Sequence, residues 1–256
     1  MSRSKVQLVP FDPESPDHAD RMLQQRIECG WHFDKVHAWK EDQRSGLKCI
    51  YWISIHPSDP DAESKLSKHT TLFPKVRHPH PPILTGTQMI SQEKEPLKDT
   101  ASSIRSTPRT PTETAFIPVG HISLDVDNPA ATRLALPIPA ENLYWIKSLY
   151  VSYALQSSGI GRAAMDEVEA MATREPLRAR VLMLDTVCKE DQHREEMVAQ
   201  VQGRPPAMST EEWYARRGYE VIWKELNFYP DFDKDGKPLG RSTVFMRRDL
   251  VQFPER

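Results

Sequence analysis

Gln156-Ser157-Ser158-Gly159-Ile160-Gly161-Arg162-Ala163 stands between an apolar run, Trp145 to Val151, that reads as a strand, and Ile160 to Thr173, whose apolar residues recur on a helical period. At such a junction the first helical N–H groups have no partner inside the helix, and glycine lets the backbone approach whatever supplies one. The helix dipole adds partial positive charge at the same point. The segment therefore reads as a cradle for a phosphate or pyrophosphate.

Gly159-Ile160-Gly161-Arg162-Ala163-Ala164 also fits the dinucleotide fingerprint G-x-G-x-x-A, and Asp185 ends an apolar run roughly 20 residues on, where a ribose-binding acid stands. That fingerprint places its first glycine directly after the strand, whereas here Ser152 to Ser158 intervene. A dinucleotide fold also needs further strand-helix-strand units, and the chain offers one convincing example.

The spacing is met better by another pattern: a strand ending in Leu-x-Val, a short spacer, then Arg or Gln-x-x-Gly-x-Gly or Ala. Here these are Leu149-Tyr150-Val151, Ser152 to Leu155, and Gln156 to Gly161. Further on, Trp213-Tyr214-Ala215-Arg216-Arg217-Gly218-Tyr219 has the form aromatic-Tyr-x-x-x-Gly-aromatic. In these two motifs and their order the chain resembles the GNAT superfamily of acetyl-CoA-dependent N-acetyltransferases. The resemblance extends loosely over residues 5–57 and 117–251 and does not cover 58–116.

The resemblance implies an α/β protein of the GNAT acyl-CoA N-acyltransferase fold, with a mixed, mostly antiparallel central sheet flanked by helices. It implies acetyl-CoA as cosubstrate and an amine acceptor that attacks directly in a ternary complex. Leu149, Tyr150 and Val151 would run beside the pantetheine arm. The backbone of Ser158, Gly159, Ile160, Gly161, Arg162 and Ala163 would hold the pyrophosphate, with Gln156, Ser157 and Ser158 adding side-chain donors. Tyr214 takes the position of the proton donor to the departing thiolate, and a phenol with a pKa of about 10 is protonated at neutral pH. Many members carry a glutamate on the cradle strand where Lys147 stands, so Asp185 and Asp125 are the carboxylates considered as base, beside a water chain. A rival reading keeps the fold without the catalysis, as a CoA-binding or interaction module working through residues 58–116.

Around these motifs the chain reads as one domain, 1–256. Strands are expected at Val6–Val9, Cys49–Ile55, Val119–Val126, Leu143–Val151, Val181–Val187, Val221–Phe228 and Thr243–Val251, the stretch Val119–Val126 by apolar alternation. Ala19 to Ile27 and Val36 to Gln43 are helical, closed by Gly30 and Gly46, and Ser209 with Glu212 has capping-box spacing. Residues 58–116 mix proline, serine, threonine, lysine and acids without apolar periodicity, which reads as a flexible insertion adding little to the core. His69, His78 and His80 there read as solvated loop residues rather than metal ligands. Asp231-Phe232-Asp233-Lys234-Asp235-Gly236 copies the start of a calcium loop, but Ser242 stands where the bidentate Glu is required, so no metal is expected. A plain polar hairpin tip is one reading of that segment; in the resembled fold it would lie near the acceptor mouth, where its carboxylates would attract a cationic amine with Trp31 to Asp34 as the opposite wall.

Composition bounds the rest. At 256 residues and 38% hydrophobic the chain can bury a full core, and a net charge of −2, without a basic face interleaved with aromatics, excludes a nucleic-acid surface. Three dispersed cysteines, Cys29, Cys49 and Cys188, read as buried free thiols in a reducing compartment, and no signal or membrane segment is evident. The expectation is a cytoplasmic or nuclear monomer or homodimer.

Overall fold

A computed structural model describes residues 4–72, 93–195, 198, 206–230 and 237–250. The chain groups into two compact units, one of Met1–Asp127 with Ile146–Ala172 and one of Asn128–Trp145 with Thr173–Arg256.

In the first unit, β1 (Val6–Pro10) leads into α1 (Pro16–Cys29). Ser15 caps α1 by accepting the His18 N–H, Pro16 opens it, and Gly30 closes it at φ 82°, its N–H reaching the Arg26 and Ile27 carbonyls. A short 3-10 turn, Phe33–Lys35, precedes α2 (Val36–Ser45), which Gly46 ends in the same left-handed conformation. Strand β2 (Ile50–Ile55) pairs antiparallel with β1, Val6 opposite Ile55. After α3 (Ala62–Leu72) come four two-residue strands, β3 (Leu97–Lys98), β4 (Ser103–Ile104), β5 (Thr107–Pro108) and β6 (Ala115–Phe116), then β7 (Pro118–Asp125), antiparallel to β2. Strand β8 (Leu143–Val151) lies beside β7 with its C-terminal half and feeds α4 (Ile160–Thr173).

Of the segment 58–116, residues 73–92 lie outside the described residues, whereas 93–116 are paired and packed. Strand β3 pairs with β6 and β4 with β5, and Leu97 and Phe116 join Phe11, Met22, Val36, Trp39, Ile50 and Trp52 in one buried cluster. Polar contacts bind the segment down as well. His18 Nε2 lies 2.9 Å from the Lys98 carbonyl, Arg21 donates to the Glu95 carbonyl at 2.7 Å, and Thr100 Oγ1 donates to Asp12 Oδ2 at 2.6 Å. A bidentate Arg109–Asp99 pair closes the segment on itself. His69 is likewise no solvated loop residue: it is fully buried, 2.9 Å from Glu93, whose other oxygen faces Arg21. His78 and His80 lie outside the described residues.

In the second unit, Leu143–Trp145 of β8 pair in parallel with Val181–Met183 of β9 (Val181–Val187). After the one-turn helix α5 (Lys189–Gln192) and α6 (Thr210–Ala215), the chain forms β10 (Glu220–Leu226) and β11 (Ser242–Asp249). Strand β11 is antiparallel to both β9 and β10. Trp145, Met183, Phe228 and Phe245 pack with Ala131 and Leu134 into the core of this unit. The antiparallel pairs β1–β2, β2–β7, β9–β11 and β10–β11 are incompatible with the parallel sheet of a dinucleotide fold. The Asp231 to Gly236 segment lies outside the described residues. Cys49 and Cys188 are buried free thiols, and burial pushes both pKa values up; Cys29 is only half-buried. No helix of the described residues is long and apolar enough to cross a membrane.

Candidate active site

Between Val151 and α4 the chain makes two successive turns, the Leu155 N–H reaching the Ser152 carbonyl and the Ser158 N–H reaching that of Leu155. Buried Leu155 and Ile160 anchor the segment on either side. Ser157 (φ 64°) and Gly159 (φ 85°) are both left-handed, and the first backbone bond of the helix runs from the Ala163 N–H to the Gly159 carbonyl. Left-handed residues just ahead of the unfilled N–H groups of Ile160, Gly161 and Arg162 form a concave nest suited to an anion. A Cβ built on Gly159 meets nothing within 4 Å, and one on Gly161 meets only the Val151 side chain at 3.8 Å, so the nest opens outward. Gln156, Ser157 and Arg162 are exposed around it. Ser158 departs from expectation, because its hydroxyl donates to the Leu155 carbonyl and is not available as a ligand donor.

The strand that delivers this nest is kinked. Ser148 sits in mid-strand at φ 55°, a conformation costly for a residue with a Cβ. Lys48 Nζ lies 3.4 Å from Ser148 Oγ, 3.0 Å from Ser123 Oγ and 2.8 Å from Asp125 Oδ2, so one buried ammonium ties β7 to β8 at the kink. Its other flank lies over the Trp39 ring, 4.7 Å from the centroid. Burial pulls the Lys48 pKa down, with Asp125 opposing. This fixes the place of Asp125: it is buried and held in an ion pair, not open to a substrate proton.

Tyr150 is an interior wall rather than a surface contact. It is buried, with its ring 5.3 Å from that of His121 and 6.1 Å from that of Tyr153, and desolvation raises its pKa well above the ordinary phenol value. His121 is held neutral by its own burial. Gln25 Nε2 donates to the Pro118 carbonyl, which leaves Gln25 Oε1 to accept the His121 Nδ1 proton at 3.0 Å. Neither Lys48 nor this Gln25–His121 pair stands out in the sequence, since their partners lie 75 or more residues away.

In the second unit, the capping box of Ser209 and Glu212 starts α6, and Gly218 at φ 86° follows it. Tyr214 is half-buried, its ring 4.9 Å from Trp213 and 6.0 Å from Tyr219, and Tyr219 is the fully buried member. On β9, Thr186 reaches Thr210 of α6 at 2.6 Å, whereas Asp185 Oδ2 accepts from Asn128 at 3.2 Å and lies against Tyr229. Adjacent strand residues point to opposite faces, so Asp185 faces away from the helix that carries Tyr214. The structure therefore does not pair these two as donor and base.

A kinked strand leading into a nest at a helix start, within mostly antiparallel pairing, defines a protein of the GNAT acyl-CoA N-acyltransferase fold. Residues 90–203 of the chain match the model of the acetyltransferase (GNAT) family. Among solved structures it is similar to Arabidopsis thaliana NAA60 in complex with a bisubstrate analogue, at 11% identity over 96% of this chain and 99% of that one, TM-score 0.47. It is similar to a GNAT family acetyltransferase from Elizabethkingia anophelis with acetyl-CoA bound, at 12% identity over 97% and 100%, TM-score 0.44. It is also similar to the aminoglycoside 6'-N-acetyltransferase from Enterococcus faecium, at 10% identity over 97% and 99%, TM-score 0.46. No curated protein sequence matches the chain.

Proposed function

We propose that the protein transfers the acetyl group of acetyl-CoA to an amine acceptor by direct attack. The observation that carries this reading is the outward-opening nest of Ser157, Gly159 and the first turn of α4, within the residues that match the acetyltransferase (GNAT) family model. The N–H groups of Ile160, Gly161 and Arg162 would bind the pyrophosphate, with Gln156, Ser157 and the Arg162 guanidinium around it. The backbone of Leu149, Tyr150 and Val151 would pair with the pantetheine arm as an added strand does.

In the transfer the amine nitrogen attacks the acetyl carbonyl, a C–N bond forms, and the C–S bond breaks. Tyr214 gives its phenolic proton to the leaving thiolate. With Asp125 held by Lys48 and Asp185 turned from α6, the proton lost by the amine passes to water. Tyr214→Phe keeps the ring and removes the proton, so turnover measured by thiol release with a panel of amines should fall about 10²-fold while acetyl-CoA affinity holds. Unchanged turnover removes Tyr214 from the chemistry. Acetyl-CoA binding without thiol release from any amine in the wild type favours the non-catalytic module.

A further inference from the structure

The Lys48 ammonium directs its three protons to Asp125 Oδ2, Ser123 Oγ and Ser148 Oγ, a set that a neutral amine could not fill. Ser123 passes the contact on, its hydroxyl donating to the Lys147 carbonyl at 3.2 Å. The ammonium thus grips the peptide that joins Lys147 to Ser148 through Ser123, and the Ser148 side chain directly. As a source of stability the ion pair is poor. Asp125 Oδ1 is buried without a hydrogen-bond partner, and a buried pair offsets its desolvation only when its remaining lone pairs are met. What the pair does hold is Ser148 at φ 55°, a conformation that a residue with a Cβ leaves for an extended one when nothing restrains it. Neither neighbour, Lys147 nor Leu149, is left-handed, so one residue deflects β8 and one clamp holds it.

We infer that Lys48, acting through Ser123 and Ser148, is a positioning residue for acetyl transfer: it holds the kink at which the acetyl group of the bound cosubstrate comes to lie. The inference rests on the proposed reading of the nest and of Leu149 to Val151. A pantetheine arm that leaves the nest and pairs along Val151, Tyr150 and Leu149 reaches Ser148 next, so the kink sets the path of the strand where the thioester arrives. A misplacement of about 1 Å there lowers turnover by about 10²-fold, with the binding contacts at the nest intact.

Lys48→Met alone leaves Asp125 charged and unpaired in the interior, so the test combines it with Asp125→Asn, which removes both charges at similar volume. The double variant should unfold in urea near the wild-type midpoint and bind acetyl-CoA with wild-type affinity. Amide exchange of the protein without acetyl-CoA should rise about tenfold over residues 145–152 and stay unchanged over 50–55, which separates local loosening from global opening. With the best amine of the panel, kcat should fall about 10²-fold while KM for acetyl-CoA holds. Adding Ser148→Gly, which takes the left-handed conformation without strain, should regain about tenfold in kcat, a gain that glycine could not give if Asp125 were the missing base. Ser123→Ala cuts the link to the Lys147 carbonyl and leaves both charges; it should move exchange and kcat in the same direction by less, and carries the test if the double variant does not fold. Exchange over 145–152 equal to the wild type, an unchanged kcat, or no gain from Ser148→Gly would each overturn the assignment. A wild type that binds acetyl-CoA but releases no thiol with any amine would instead sink the transfer reading, and the exchange comparison alone would then decide whether Lys48 holds the kink.

Discussion

The cradle at Gln156 to Ala163 and the segment from Glu93 to Phe116 are held by opposite means. The cradle is made by its own neighbours: turns three residues long, two left-handed residues and a helix start. The segment 93–116 is made by distant partners, with His18 meeting Lys98 across 80 positions, Arg21 meeting Glu95 across 74 and Thr100 meeting Asp12 across 88. Local geometry leaves a mark in sequence, whereas long-range satisfaction does not. A stretch without apolar periodicity can be ordered when a few of its residues fill a core that others have left incomplete.

The largest break in that comparison should come at Phe116. Truncating it to Ala opens the cluster of Phe11, Met22 and Trp52, and should cost about 3–5 kcal/mol in urea unfolding. A loss below ~1 kcal/mol, outside the range of core truncations, would mean that residues 93–116 only lie on the surface. The cradle should respond in binding instead. Gly159→Asp has room for its side chain, so the fold should survive the left-handed backbone at a cost of about 1 kcal/mol. The added charge should abolish the rise in Tm with acetyl-CoA. Gly159→Asn carries the same shape without the charge and should retain part of that rise; equal loss in both would assign the effect to strain rather than to anion binding.

A smaller effect should appear with pH. Burial lowers the pKa of His121 well below its ordinary value and lowers that of His18. In the unfolded chain both titrate near ~6.5, so below that pH the unfolded state binds more protons than the folded one. Stability present above pH ~6.5 is therefore lost as the pH falls toward the folded-state values. Thermal melts between neutral and mildly acidic pH should show this slope, and His121→Gln should make it shallower. An unchanged slope would exclude His121 as its source and leave His18, which ties the 93–116 segment to the core.

Much of the fold was legible because its signals are local. Gly30 and Gly46 close helices where expected, Ser209 and Glu212 form the capping box, and β8, β9 and α4 keep their expected bounds. The alternation in β7 was misleading in a specific way. Its residues do alternate in chemistry, but every one is buried, because the polar face lies inward too. His121 meets Gln25, Ser123 donates to the Lys147 carbonyl, and Asp125 meets Lys48. Alternation tells which residues share a face, not whether water reaches it. That is why Asp125 reads as an available carboxylate in the sequence and is an interior ion in the structure.

Position 120 in β7 has a Cβ-free backbone for a reason of spacing. A Cβ added to Gly120 would fall 2.1 Å from the Tyr150 carbonyl oxygen, far inside contact distance. Any other amino acid there has to push Tyr150 outward, and the displacement would travel along β8 to Ser152, whose N–H is held by the Val119 carbonyl. The position of the strand that delivers the anion nest is thus set by an atom that is missing from the neighbouring strand. A library of substitutions at position 120 should contain no neutral member.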